Sequence, residues 1–217
     1  MTRLSGPALR HKRAESWMER ARGAHGDLDA RFIFSWIAFN ALYGQARYRH
    51  PEGRIWSEMR DIREFLKLMV KLDPRGVSAI FKEHGLKEHV SNLLRDKFLH
   101  DCCWKAWNAD KVFDRAGRES FVPDCNEKDD DELIQVFRRL YVLRKQMFHG
   151  CSKDGSSKNR PSLRVAVPVL QRFVEGFLEL ISRRSEATHV VSLLGEPPYP
   201  PTAEKERWNS PRVIGAR

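Results

Sequence analysis

The segment Asp131–Phe148 carries an arginine where a helix should carry an apolar residue. With Leu133 as the zero of the wheel and about 100° per residue, Val136, Phe137, Leu140, Leu143 and Met147 all fall within roughly 80° of it. Arg144 falls at roughly 20°, in the middle of that stripe. A guanidinium keeps its proton, so Arg144 needs an anionic or carbonyl partner inside the fold or at an interface. Five positions on stands His149, followed by Gly150, where the helix can end and leave the imidazole accessible. Together the pair suits phosphate chemistry. The arginine can neutralise a phosphodiester, and the histidine can move a proton near neutral pH. The structural alternative is that Arg144 bonds a backbone carbonyl or a buried acid, and that His149 is an ordinary helix-end histidine.

Spacing alone does not select this pair. Arg-x4-His occurs at Arg20/His25, Arg95/His100, Arg144/His149 and Arg184/His189. The first crosses a helix end at Gly23 and the last runs into the C-terminal tail. Arg95/His100 is a serious rival, because Asp96 follows its arginine. Other groups are open to two readings. Asn40 sits among apolar neighbours, where a buried amide needs hydrogen-bond partners; it either orients the Arg/His pair or bonds backbone. Lys153, Lys158, Asn159 and Arg160 lie where a loop could cradle RNA or merely be solvated. His100 with Cys102 and Cys103 makes a poor chelating set, since adjacent cysteines seldom share a metal. No metal and no cofactor are expected. Trp36 and Trp56 could stack bases, but their helical setting favours the core.

The elements that must position these groups read as helices throughout. A basic helix over 8–22 ends at Gly23. Asp27 or Asp29 caps a second helix running to Tyr43 and stopping at Gly44. Its residues Phe32, Ile33, Phe34, Trp36, Ile37, Phe39, Leu42 and Tyr43 point in every direction, which predicts a central helix buried on all sides. Residues 55–72 are amphipathic, with Ile55, Met59, Ile62, Leu66 and Met69 at steps of three and four. Asp73-Pro74-Arg75-Gly76 breaks that helix, and shorter helices follow at 77–84 and 86–100. Residues 101–130 lack sustained periodicity and read as an irregular insertion. The helix 131–148 has an acidic start and a basic end, both complementing its dipole. The last long helix lies within 161–184, with Pro161 in its first turn and Pro168 expected to kink it or mark a later start. The class is all-α: one domain over 1–184, then an extended tail over 185–217 holding Pro197-Pro198-Tyr199-Pro200-Pro201.

Composition bounds the partners. The 217 residues are 41% hydrophobic and 31% charged, which suits a globular chain with a sizeable core. Lys and Arg number 39 against 29 Asp and Glu, a formal charge of +10 that favours polyanions such as nucleic acid. The longest apolar run, Phe32–Phe39, is far short of the ~20 residues of a bilayer span, so no membrane partner is expected. Four cysteines form no CxxC pair, and Met1-Thr2-Arg3-Leu4 lacks a signal-peptide core. A reducing cytoplasm is the expected location.

Two blocks resemble a known family. RLYVLRKQMFHGCSKDGSSKNR (139–160) is similar to the HEPN superfamily, whose hallmark is an arginine, a polar residue, a few further positions and a histidine, commonly followed by glycine. FSWIAFNALYG (34–44) resembles the helix preceding that motif in one large prokaryotic branch, and Ser157, Asn159 and Arg160 match that branch's loop into the last helix. The resemblance spans roughly 28–184. It implies a helical bundle that forms a homodimer, with two Arg/His pairs facing one cleft. It also implies metal-independent cleavage of RNA in a toxin–antitoxin or anti-phage defence system, with a cognate antitoxin or other defence protein as partner; some members bind RNA, nucleotide or protein without cutting. Carried over, Arg144 holds the scissile phosphate and His149 is the general acid/base. Lys145 departs from the pattern, standing where the family usually has Asn, Asp or His. It shares a face with His149 at the helix end and could add a phosphate contact.

Overall fold

The computed structural model describes residues 6–44, 57–101, 131–149, 157 and 159–183. These form seven α-helices and a 3-10 turn, with no strand among the described residues. The helices are α1 (Gly6–Gly23), α2 (Leu28–Tyr43), α3 (Glu58–Leu72), α4 (Pro74–Lys82), α5 (Leu86–Arg95), α6 (Glu132–Phe148) and α7 (Arg160–Arg183), and the 3-10 turn Lys97–Leu99 follows α5. The all-α class read from periodicity is what the chain adopts. The insertion beyond Asp101, the tail from 184 onward, and Ile55 and Trp56 lie outside the described residues.

Local chemistry sets the helix ends. Asp27 accepts the Ala30 N–H at 2.9 Å and starts α2. Asp131 accepts the N–H groups of Leu133 (3.0 Å) and Ile134 (3.4 Å) and starts α6. The predicted break at 73–76 narrows to Asp73 alone. Proline lacks a donor that a first helical turn would leave unused, so Pro74 opens α4 while Asp73 accepts the Gly76 N–H at 2.8 Å. A β-carbon on Gly76 would come within about 2.5 Å of the Asp73 carboxylate, so glycine is what lets this cap close. The stretch expected as one helix over 86–100 divides at Asp96, whose side chain caps the 3-10 turn through the Phe98 N–H (3.0 Å). Pro168 does not delay α7, which runs from Arg160 to Arg183 through it. An interior proline costs ~3 kcal/mol; here Ala166, Val167, Val169 and Leu170 beside it are all buried, and their packing holds the helix.

Phe39 of α2 is the centre of the core. Its ring lies 4.6 Å from Phe137 of α6, 5.8 Å from Phe65 of α3 and 6.5 Å from Phe177 of α7, centroid to centroid. Trp36 is buried beside it at 5.5 Å, as its helical setting predicted. The expectation that α2 is buried all round holds for one face only. Phe32, Trp36, Phe39 and Tyr43 are buried, whereas Ile33, Phe34 and Ile37 are half-buried and Asn40 is exposed. The helices that pack on α2 leave the 33–37–40 stripe in contact with solvent.

Candidate functional site

The Arg144/His149 pair sits at the C-terminal end of α6, an end fixed by the cap at Asp131 and by the buried stripe Leu133, Val136, Phe137, Leu140 and Leu143. The backbone N–H of His149 donates to the Lys145 carbonyl at 3.0 Å, and its φ of −90° and ψ of 9° take it out of the helix. The His149 side chain is exposed. Gly150 lies outside the described residues.

Arg144 has an acid as partner, though a partly buried one rather than the buried acid of the structural alternative. Its Nη1 lies 3.4 Å from Oε2 of Glu58, and the side chains are 25% and 17% exposed. The other carboxylate oxygen, Oε1, accepts the Tyr43 hydroxyl at 2.8 Å. Burial first, then the Glu58 carboxylate, pushes the Tyr43 phenol well above its ordinary range. The same two causes, in the same order, raise Tyr141. The guanidinium also faces two rings of its own helix, Phe148 at 4.9 Å and Tyr141 at 5.9 Å. Phe148 is 50% exposed, so an aromatic surface borders the arginine on the solvent side. Glu58 is the residue that sequence reasoning missed. An acidic residue in the first turn of an amphipathic helix looks like an ordinary dipole complement, and only the packing of α3 against α6 gives it a partner.

The supporting residues disperse. Lys145 extends to Asp101 (Nζ–Oδ1 3.1 Å) and lies 5.0 Å from the Tyr141 ring, so its charge is engaged by a carboxylate. Asn40 is exposed on α2, and its backbone carbonyl accepts the Gly44 N–H at 2.7 Å. It needs no buried partner, because the stripe it shares with Ile33 and Ile37 is left near solvent. Asn159 starts α7, its carbonyl accepting the Leu163 N–H at 2.9 Å. Arg160 is joined in an ion pair with Asp29 in the first turn of α2 and ties the start of α7 to it. Lys153 and Lys158 lie outside the described residues.

The rival pair fares differently. Arg95 ends α5, Asp96 interrupts, and His100 closes the 3-10 turn, so the two belong to separate elements. Asp96 is occupied by the Ser162 hydroxyl at 2.6 Å as well as by its cap. Arg20 lies over the Phe34 ring at 5.5 Å on α1, while His25 is in the loop that follows. His189 is outside the described residues, as are Cys102 and Cys103. Among the described residues, no group of three His, Cys, Asp or Glu side chains is placed to hold a metal. Clefts of about 560 Å³ (Phe81, Lys82, Lys87, Arg95 among its walls) and about 410 Å³ (Glu83, Arg172, Gly176) include neither Arg144 nor His149. At this end of α6 Phe148 and His149 are exposed, and Arg144 is partly buried.

Comparison of the chain with family models, curated proteins and solved structures gives no match.

Proposed function

We propose that this protein is a HEPN-type endoribonuclease in which Arg144 holds the scissile phosphate and His149 moves the protons. The observation that carries the reading is the setting of Arg144. It lies on an apolar stripe yet stays a quarter exposed, held by one carboxylate at the end of a helix that also presents an exposed histidine. A guanidinium has five donors in a planar fork, so one carboxylate leaves donors for a phosphate. In the reaction the ribose 2′-oxygen loses its proton and bonds to the adjacent phosphorus. The phosphorus–O5′ bond breaks, and O5′ takes up a proton. The ends left are a 2′,3′-cyclic phosphate and a 5′-hydroxyl. With one Arg/His pair per protomer, a homodimer with two-fold symmetry would bring two pairs to one cleft. A toxin–antitoxin or defence setting, with a cognate antitoxin as partner, follows from the resemblance alone.

The second reading is a HEPN module that binds RNA, nucleotide or protein without cutting. It is favoured by the ion pairs that Glu58 and Asp101 already make with Arg144 and Lys145. Cleavage of single-stranded RNA in EDTA separates the two. The enzyme reading expects cleavage, survival of a substrate lacking the 2′-hydroxyl at the cleavage site, and failure of Arg144→Lys, because one ammonium does not reproduce the guanidinium fork. Binding without cleavage would establish the second reading.

A further inference from the structure

Three elements converge on the Glu58 carboxylate. Tyr43, 2% exposed at the end of α2, donates to Oε1 at 2.8 Å. Arg144, on α6, meets Oε2 through Nη1 at 3.4 Å. Glu58 itself opens α3, where the first-turn N–H groups and the helix dipole favour a carboxylate. The acid is thus anchored on its inner side by a buried phenol and turns its other oxygen to a guanidinium that borders solvent.

Arg144 depends on that anchor for its direction. Its side chain has on the order of 2 kcal/mol of rotamer entropy to lose. Tyr141 and Phe148 lie near the guanidinium, but rings offer it no directional acceptor. Arg144 Nε is buried and makes no hydrogen bond among the described residues. Among the described residues, the ion pair with Glu58 at 3.4 Å is the polar contact that restrains the guanidinium. We propose that Glu58, braced by Tyr43, is a positioning residue that aims Arg144 at the scissile phosphate, an inference that rests on the phosphate-holding role given to Arg144 above. Neither residue touches the reacting atoms. A guanidinium misplaced by about 1 Å can cost on the order of a hundredfold in rate, whereas loss of an exposed ion pair alone would leave the rate unchanged.

The test uses the full chain and two probes: a single-stranded RNA, and the same sequence fully 2′-O-methylated, which cannot be cut. Wild type, Glu58→Ala, Glu58→Gln and Tyr43→Phe are compared, each with and without Arg144→Ala. We expect kcat to fall roughly a hundredfold in Glu58→Ala, less in Glu58→Gln, which keeps an oxygen acceptor, and no further fall when Arg144 is already alanine. Should Glu58→Ala fail to fold, Glu58→Gln and Tyr43→Phe carry the comparison. If wild type cuts and these variants cut equally well, or their losses add in full to that of Arg144→Ala, positioning is overturned while the ribonuclease reading stands. If wild type binds the methylated strand without cutting RNA, and Glu58→Ala weakens binding as Arg144→Ala does with no further loss in the double variant, cleavage fails and positioning stands. Tighter binding by Glu58→Ala would mean that the carboxylate competes with phosphate, and overturns the proposal. No binding and no cleavage overturn both.

Discussion

Arginine side chains in this molecule are distinguished by what holds them. Arg10 is fully buried on α1, and its Nη1 donates to the carbonyls of Leu42 (3.0 Å), Ala41 (3.4 Å) and Gly44, closing the C-terminal end of α2. Burial, and then Arg13, lowers its guanidinium to about 10. Arg139 is buried and donates to the Leu94 carbonyl at 3.3 Å. Unlike these two, Arg144 faces a carboxylate and solvent at once, as Arg160 does with Asp29 and Arg172 with Glu83. The wheel reveals that Arg144 interrupts an apolar stripe, and so that it needs a partner. It does not reveal Glu58, because the two meet through the packing of α3 on α6. Arg10 gave no signal, since a basic helix hides one buried cation among exposed ones. The Tyr43–Glu58 bond carries its own prediction. Tyr43 has a folded-state value raised well above its ordinary 10.0. Its contribution to stability is therefore complete below pH 10 and lost as pH rises past it. Denaturant melts between about pH 8 and pH 11.5 should show stability falling above pH 10, and falling less steeply in Tyr43→Phe. Equal slopes would contradict a phenol held neutral by burial and by Glu58.

At the scale of elements, end signals were more legible than the middles of helices. Asp27, Asp73 and Asp131 cap where an end was expected, because a short carboxylate reaches the free N–H groups of a first turn, while Asp96 caps inside the stretch read as one helix. The middle of α2 misled: ten apolar residues in twelve looked like complete burial, yet the 33–37–40 stripe stays near solvent. Hydropathy registers what a face could bury, not how many helices are present to bury it. Pro168 does not mark a later start of α7, since buried neighbours offset the missing hydrogen bond. The cap on α6 bears most directly on the candidate site, as it fixes the start of the helix that ends at His149. Asp131→Ala should lower unfolding free energy by about 1 kcal/mol, whereas Glu132→Ala, at an exposed neighbouring position, should cost only a few tenths. Urea titrations of both variants make the comparison. An Asp131→Ala protein as stable as wild type would mean that α6 does not depend on this cap.

For the whole molecule, the all-α class follows from periodicity, and no helix among the described residues is long and apolar enough to cross a membrane. The formal charge of +10 suits a polyanion, but charge cannot say which of four Arg-x4-His pairs meets it. Structure narrows the choice by keeping Arg144 and His149 at one helix end and dividing Arg95 from His100 between two elements. The most direct measurement compares His149→Ala with His100→Ala in one RNA cleavage assay with analysis of the new ends. The account predicts that wild type leaves 2′,3′-cyclic phosphate and 5′-hydroxyl ends, that His100→Ala does the same at a similar rate, and that His149→Ala loses about 10²–10⁴-fold. An active His149→Ala protein beside an inactive His100→Ala protein would contradict it.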